Sequence, residues 1–500
     1  MGPDFMWLEL DGRGPRYAQI TRALHHSIRE GVLAPGDRLP SHRQLAADLG
    51  CARNLVVLAY EQLMLEGYLI ARSKSGTFVS PQLPRRPPVT ERATAAKTGG
   101  DRTGASRRTS RLTTIASPAR KITARIGSHR IDFAYGICEP DPRVIRRLRA
   151  SFAAALRKGV FGYGDPAGDP RLRQHIVDRL WGTRGIVCTR SQVIVTNGTQ
   201  QALDICTRLF LRKGDRVVVE DPGYEGARAA FATTGATVLP SPVDDNGLDP
   251  AKLPPGAGVR VVYVTPSHQF PTGTILSAPR RDALLAWARR AGAVIVEDDY
   301  DGDLRYQGQP IKALAGLEPN ANVIYCGTFA KSLFPALRLG YMVLPAALAE
   351  AAVDAKWLAD RGSSVLLQRV LRDLMTSGEY DRHLRRMKRR YIRRRNALTE
   401  ALTRRLGDDL QLAGTAGGLH VVAWLPRLPT NNLDTLIGRC AARGVGVYSI
   451  ASHAIRRPRR SGLMLGYGLI DERAIERGIR TVADEYHRLI TRRMKVESEA

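Results

Sequence analysis

Lysine is scarce in this chain of 500 residues: 11 lysines stand against 65 arginines, so any lysine in an unusual setting merits attention. Cysteine is equally sparse. The six cysteines (Cys51, Cys138, Cys188, Cys206, Cys326, Cys440) form no CxxC pair, which argues against a zinc site or a disulfide framework and fits reduced thiols in a cytoplasm. No apolar run approaches the roughly 18–20 residues needed to span a bilayer, so no membrane role is expected. The opening MGPDFMWLELDG has no basic segment followed by an apolar core, so no secretory leader is expected either. At roughly 150 residues per domain, the length predicts about three folding units.

Acidic residues are also short: 48 against 76 basic ones leave a net charge of +28, which points to an anionic partner, nucleic acid first. An arginine-rich proteome would give the same excess, so its location matters more than its size. Residues 1–79 hold 9 basic and 8 acidic side chains and are nearly neutral, whereas residues 80–130 hold 12 basic and 2 acidic ones and no aromatic residue. That second stretch, rich in Pro, Thr, Ser, Gly and Ala, cannot bury enough apolar surface to offset its ordering entropy and is expected to be a flexible basic linker over 81–130. Within the remainder, DRHLRRMKRRYIRRR (381–395) holds 9 basic residues and one acid, with Leu384, Met387 and Tyr391 at helical spacing. An amphipathic helix with a solvated basic face accounts for it.

Ahead of the linker, Ile20, Leu24 and Ile28 mark one helical stripe, Ser41 is placed to cap a second short helix ending at Gly50, and a third runs from about Arg53 to Glu66 with Val56, Tyr60, Leu63 and Met64 packed. YLIARSKSGTFVS then reads as a hairpin. Helix, tight turn, helix and β-wing form an arrangement whose second motif helix enters the major groove of DNA. The run LPSHRQLAADLG…RNLVVLAYEQLMLEGYLIARSKSGTFV resembles the winged helix-turn-helix domain of the GntR family, and the likeness extends over 14–80. The resemblance implies Arg43, Arg53 and Asn54 as DNA contacts and Gly76 and Thr77 as the wing tip. Ala52 and Leu55 depart from the family's usual Ser and Thr, removing a helix cap and two hydroxyls.

From 131 on, VIVTN (193–197), RVVVED (216–221), VRVVYVTP (259–266), AVIVEDD (293–299), NVIYCG (322–327) and GYMVLP (340–345) alternate with helical stretches, which predicts a mostly parallel α/β sheet with ligands beyond its carboxyl ends. Gly198, Thr199 and Gln200 open a helix and suit an anion. Asp298 and Asp299 adjoin at a strand end without the His or third carboxylate of a metal cluster, so no metal site is expected; Asp301 and Asp303 read as loop residues. Lys331, in the hydroxyl-rich segment TFAKS, suits Schiff-base chemistry, since a desolvated amine near other cations titrates lower.

FGYGDPAGDPRLR, VTNGTQQALD, EDPGYEGAR, TPSHQFPTG, VEDDYDGDLRY and GTFAKSLFPALRLGYMVLP together resemble fold-type I aminotransferases, and with the N-terminal domain the chain is similar to the MocR-type regulators of the GntR superfamily. The resemblance implies a pyridoxal-phosphate domain over 131–488 with a smaller C-terminal α+β lobe. In it Lys331 would bind the cofactor covalently, Asp298 would face the pyridine nitrogen, Tyr300 the ring hydroxyl and Tyr224 the ring face. Gly198, Thr199, Gln200, Thr328 and Arg338 would hold the phosphate, and Tyr163 would reach the partner's phosphate in a homodimer. Phe270 replaces the Asn that ordinarily bonds the ring oxygen, leaving His268 or Gln269 as substitutes, and Met464 stands where an Arg usually grips a substrate carboxylate, with Arg456, Arg457, Arg459 and Arg460 nearby. The expected function is a cytoplasmic transcription regulator that binds operator DNA and senses an amino compound or pyridoxal phosphate itself. A working aminotransferase and a constitutive DNA-binder with a purely dimerising large domain are the alternatives.

Overall fold

The computed structural model describes residues 8–72, 75–81, 112–116, 128–159, 161–255, 258–308, 311–318, 321–456 and 458–498. The chain divides into two compact units, Met1–Asp101 and Arg102–Ala500, and the division falls inside the segment expected to be a linker. Of that segment, 82–111 and 117–127 lie outside the described residues, while 112–116 are helical.

The first unit is three helices and a hairpin. Helix α1 (Arg16–Arg29) buries Ile20, Leu24 and Ile28, one turn apart, against α3 (Arg53–Leu65), which contributes Val56, Ala59, Tyr60 and Leu63. Between them α2 (His42–Asp48) starts where the Ser41 hydroxyl accepts a hydrogen bond from the Gln44 amide at 3.2 Å. Gly50, at φ +57, turns the chain into α3. The hairpin pairs β1 (Leu69–Arg72) with β2 (Gly76–Val79), and Asp37 and Leu39 bond the far side of β2 through Val79 N–H and Thr77 C=O at 2.9 Å each.

In the second unit β3 (Ile131–Asp132) leads into an eight-stranded sheet of β4 (Val193–Thr196), β5 (Arg216–Asp221), β6 (Thr237–Asp244), β7 (Gly247–Leu248), β8 (Val259–Val264), β9 (Val294–Asp299), β10 (Val323–Thr328) and β11 (Gly340–Val343), in the order β4-β11-β10-β9-β8-β5-β6-β7. Every strand expected from the sequence forms, and β6 joins them. Pro240 and Pro242 remove two amide donors from β6 and hide it from a pattern reading. Strands β6, β5, β8, β9 and β10 run parallel in that order, but the edge strand β7 is antiparallel to β6, and β11 runs antiparallel to both β10 and β4. The connection from Thr328 to Gly340 is too short for the crossover of a dozen or more residues that a parallel return requires, so the chain doubles back, carrying Lys331 and Arg338 across the sheet's end.

Both faces of this sheet are covered. On one, Val217, Val219, Val261, Val296 and Ile324 pack beneath helices Thr199–Phe210 and Glu225–Ala232; on the other, Val218, Val262 and Ile295 pack beneath Ala278–Ala291. The alternation follows from the two-residue period of a strand, and each fully buried Val or Leu contributes about 1.5–3 kcal/mol. A smaller antiparallel sheet, β12 (Gln411–Ala413), β13 (His420–Trp424), β15 (Tyr448–Ser449) and β16 (Gly462–Gly466), packs with the long helices Glu379–Leu406 and Glu472–Ser498, while β14 (Val445–Gly446) pairs with β3. In Glu379–Leu406, Leu384, Met387 and Tyr391 are buried as their spacing predicts, and Arg385 and Arg389 are exposed. Not all of its charge is solvated: Arg394 donates to Gly468 C=O at 2.6 Å and Arg395 to Thr415 C=O at 2.7 Å. No helix among the described residues is long and apolar enough to cross a membrane.

Candidate functional site

The carboxyl ends of β4, β9 and β10 open onto a cavity of about 400 Å³ lined by Gly198, Thr199, Gln200, Tyr224, Asp298, Tyr300, Thr328, Lys331 and Arg338, together with Tyr135, Glu225, Phe270 and His420. Nine residues expected for the cofactor thus meet in one place. Lys331 Nζ donates to Gly136 C=O at 2.5 Å, and a Cβ on Gly136, at φ +70, would come within 2.9 Å of that nitrogen. Burial lowers the Lys331 pKa and Arg338 adds to the effect, while Cys138, Asp301 and Asp298 oppose it. This is the direction a nucleophilic amine needs.

Asp298 ends β9. Its Oδ2 accepts from Tyr263 Oη at 2.8 Å, but its Oδ1 is buried without a partner. Burial pushes its pKa up to about 7, and the Tyr263 hydrogen bond and the Lys331 charge offset the lost hydration only in part. A protonated pyridine nitrogen would satisfy both the orphaned oxygen and the charge. At the other end Gly198 holds φ +82 as the N-cap of helix Thr199–Phe210, and Arg338 donates to Asn197 C=O at 3.0 Å. A Cβ on Gly198 would project toward the Arg338 guanidinium, 3.6 Å away, into the space where free helix N–H groups and a cation converge on an anion. Tyr224 closes one wall, its hydroxyl donating to Gln200 Oε1 at 3.2 Å. These residues fit pyridoxal phosphate.

Three expectations are corrected. His268 does not line the cavity: its Nδ1 sits 2.9 Å from Tyr300 Oη and 2.8 Å from Asp301 Oδ2, behind the tyrosine. Burial acts to lower the His268 pKa, but Asp301 outweighs it and the result is raised. Gln269 is no substitute either, since its amide nitrogen is held by Pro222 C=O and Phe270 C=O at 2.8 and 2.6 Å. Thr77 is buried, paired with Ala71 one residue inside β2, because strand alternation turns its side chain to the core. Gly76, at φ +111 and exposed, stands at the wing's end with the Arg38 guanidinium beside it.

Arg43, Arg53 and Asn54 are exposed at the starts of α2 and α3, as a groove-facing motif requires. Tyr163 is 75% exposed, outside the cavity, with the Arg361 guanidinium 5.8 Å from its ring. Asp301 and Asp303 are more than loop residues: Asp301 is buried against His268, and Asp303 is bound by Arg179 at 2.7 Å. Asp299 pairs with Arg184 at 2.5 Å and accepts from Tyr325 Oη at 2.6 Å, so it is structural.

A family model described as "Aminotransferase class I and II" matches residues 129–449, and one described as "Bacterial regulatory proteins, gntR family" matches residues 16–79. The chain is 35% identical over 487 residues to the probable rhizopine catabolism regulatory protein MocR of Rhizobium meliloti, covering 96% of this chain and 95% of that protein. The chain belongs to the MocR-type regulators of the GntR superfamily. This MocR-type regulator is also 35% identical over 485 residues to the HTH-type transcriptional regulator TauR of Rhodobacter capsulatus, covering 94% of this chain and 96% of that protein. Among solved structures, the multiple substrate aminotransferase of Thermococcus profundus is 27% identical with a TM-score of 0.67, covering 76% of this chain and 96% of that one. It is therefore a DNA-binding transcription regulator whose large unit has a fold from a pyridoxal-phosphate-dependent family.

Reading the MocR-type chain as a sequence missed Tyr263, Glu225, His420 and His453. Tyr263 had a signal, a polar tip in an otherwise aliphatic parallel strand, two positions across from Asp298 in register. Glu225 and His453 had none, because 228 residues separate the partners of their 2.7 Å contact.

Proposed function

We propose that the large unit of this regulator binds pyridoxal phosphate and an amino effector in the same cavity, and that their occupancy sets its affinity for operator DNA. The observation that carries this reading is the buried, partnerless Asp298 Oδ1 facing a cavity that also holds Lys331 and the Gly198–Arg338 anion cradle. When bound, the cofactor supplies an aldehyde carbon that combines with one primary amine at a time, that of Lys331 or that of the effector. The chain's own groups do the rest: Asp298 fixes the ring nitrogen's proton, Tyr224 covers the ring, Tyr300 is oriented by His268, and Gly198, Thr199, Gln200, Thr328 and Arg338 hold the phosphate. A Lys331 side chain not bound to the cofactor would leave the loop between β10 and β11 free to repack, and an effector would shift DNA affinity only as far as it distinguishes the two states.

Arg43, Arg53, Asn54 and Gly76 meet the operator, and two chains associate so that the exposed Tyr163 of each reaches the other's phosphate. The site of action is the cytoplasm, where the operator lies. Among the described residues that line the cavity the only lysine and arginine are Lys331 and Arg338, and Met464 stands where a carboxylate-gripping Arg is expected, which weighs against amino-acid turnover as the main role.

Loading the purified full chain with pyridoxal phosphate tests the reading. Wild type should gain the near-visible absorbance of a lysine-linked cofactor and change operator affinity on adding its amine, whereas Lys331→Ala should gain no such band and show no amine response while still binding DNA. A Lys331→Ala protein that responds normally would refute covalent sensing, and steady formation of new amino acid from a keto acid would favour the enzyme.

A further inference from the structure

The cavity extends past the groups assigned to the cofactor, and its far wall has a definite sign. There Glu225, 8% exposed, lines the space with its Oε2 2.7 Å from His453 Nδ1. His420, 2% exposed, lines it as well. Its Nε2 lies 2.9 Å from Pro271 C=O, which accepts and never donates, so Nε2 carries the proton. Burial brings the His420 pKa down to about 4, leaving the ring neutral near pH 7 with Nδ1 as an acceptor. Phe270 fills the space between, its ring 4.9 Å from His453 and 6.0 Å from Tyr224.

Among the described residues that line this end, none is a lysine or an arginine. The only cations among the described lining residues are Lys331 and Arg338, and Arg338 is held at the phosphate end by Asn197 C=O. Met464 is fully buried, packed with Tyr135, Val422 and Ile450. Arg456, Arg459 and Arg460 are exposed and line no part of the cavity, and Arg460 lies over the Trp424 ring at 4.8 Å; Arg457 lies outside the described residues. A carboxylate on the far end of a ligand would face the Glu225 carboxylate, and among the described residues the basic group beside it, His453, is already bound to Glu225, an arrangement that disfavours the ligand.

We infer that the effector is a primary amine without a carboxylate, whose far end donates hydrogen bonds, as a second ammonium or a hydroxyl group, to Glu225 and His420. This rests on the sensing reading above and adds the chemical class of the ligand. Glu225 is here a specificity-determining residue, held in place by His453.

The test uses the full chain loaded with pyridoxal phosphate and titrated with putrescine, aminobutanol and γ-aminobutyrate, which share a four-carbon span and differ at one end. Cofactor absorbance and the thermal midpoint are the readouts, with methylamine as the control for amine exchange. Putrescine or aminobutanol should bind at least about tenfold more tightly than γ-aminobutyrate, and Glu225→Gln should shrink that ratio severalfold. Tighter binding of putrescine assigns the recognition to charge, and equal binding of the two to hydrogen bonding. γ-Aminobutyrate binding as tightly as either of them in wild type would overturn the inference without any variant, as would an unchanged ratio in Glu225→Gln that keeps its cofactor band. If even methylamine leaves the absorbance unaltered, the sensing reading itself fails and the inference with it.

Discussion

Asp298 concentrates the chemistry of the large unit in one carboxyl group. Its folded-state pKa of about 7 lies far above the ordinary 3.8 because burial disfavours the charge and Asp299 and Asp301 add repulsion, more than Tyr263 and Lys331 return. A raised carboxyl pKa means that the fold favours the protonated form. Its contribution to stability is complete below the ordinary carboxyl pKa and is lost as pH rises through about 7. In the cofactor-free chain, Asp298→Asn should therefore leave the thermal midpoint nearly unchanged at pH 4 and raise it by several degrees at pH 7.5. Equal midpoints for variant and wild type at the higher pH would show that the carboxylate has a counter-charge already. The residues that meet around this group were legible where a strand's end announced them: Asp298, Tyr300, Thr328, Lys331, Arg338 and the Gly198 turn all stand in short polar breaks after apolar runs. Nearness in sequence to Phe270 does not fix the direction of the His268 side chain, whose ring nitrogen turns to Tyr300 and Asp301. Glu225, His420 and His453 come from three distant segments, and only folding brings Glu225 and His420 to one cavity, with His453 against Glu225.

Helix α3 shows what a departure from family pattern does to an element. Ala52 is its N-cap and makes no side-chain bond to the first-turn amides, whereas Ser41 caps α2. The Leu55 side chain, where the family usually has Thr, is partly buried against the core of the first unit, so an apolar contact has taken the place of a hydroxyl. Ala52→Ser should stabilise the start of α3 by about 1 kcal/mol and slow hydrogen exchange of its first-turn amides about fivefold, measured on the full chain. Exchange at the wild-type rate would mean that the turn at Gly50 already orders that end. Elements with strong period or punctuation were readable throughout: α1 from its four-residue stripe, the hairpin from alternation around SKSG, and six strands from aliphatic runs. The direction of β11 was not, since apolar patterning marks a strand without saying which way it runs; the length of its connection to β10 does.

For the molecule as a whole, the net charge of +28 is not one quantity with one use. Several arginines are internal supports: Arg184 neutralises Asp299, Arg281 donates to Leu276 C=O at 2.8 Å, and Arg394 and Arg395 hold loop carbonyls. Only the exposed share, such as Arg385 and Arg389 on the helix Glu379–Leu406 and Arg43 and Arg53 on the first unit, is available to phosphate. The two groups separate by their dependence on salt, because each phosphate contact releases counterions and adds about 0.9 to the slope of log affinity against log salt. On a duplex only as long as the operator, Arg53→Ala should lower that slope by about 1 and cost about 1–3 kcal/mol of affinity, while the double variant Arg385→Gln/Arg389→Gln should match wild type. On a duplex with long flanks, the double variant should also lose slope if the large unit's surface touches DNA beyond the operator. Fluorescence anisotropy over a range of salt concentrations reads both. A double variant that is unchanged on both duplexes would confine DNA recognition to the nearly neutral first unit and leave the exposed arginines of the large one to solubility alone.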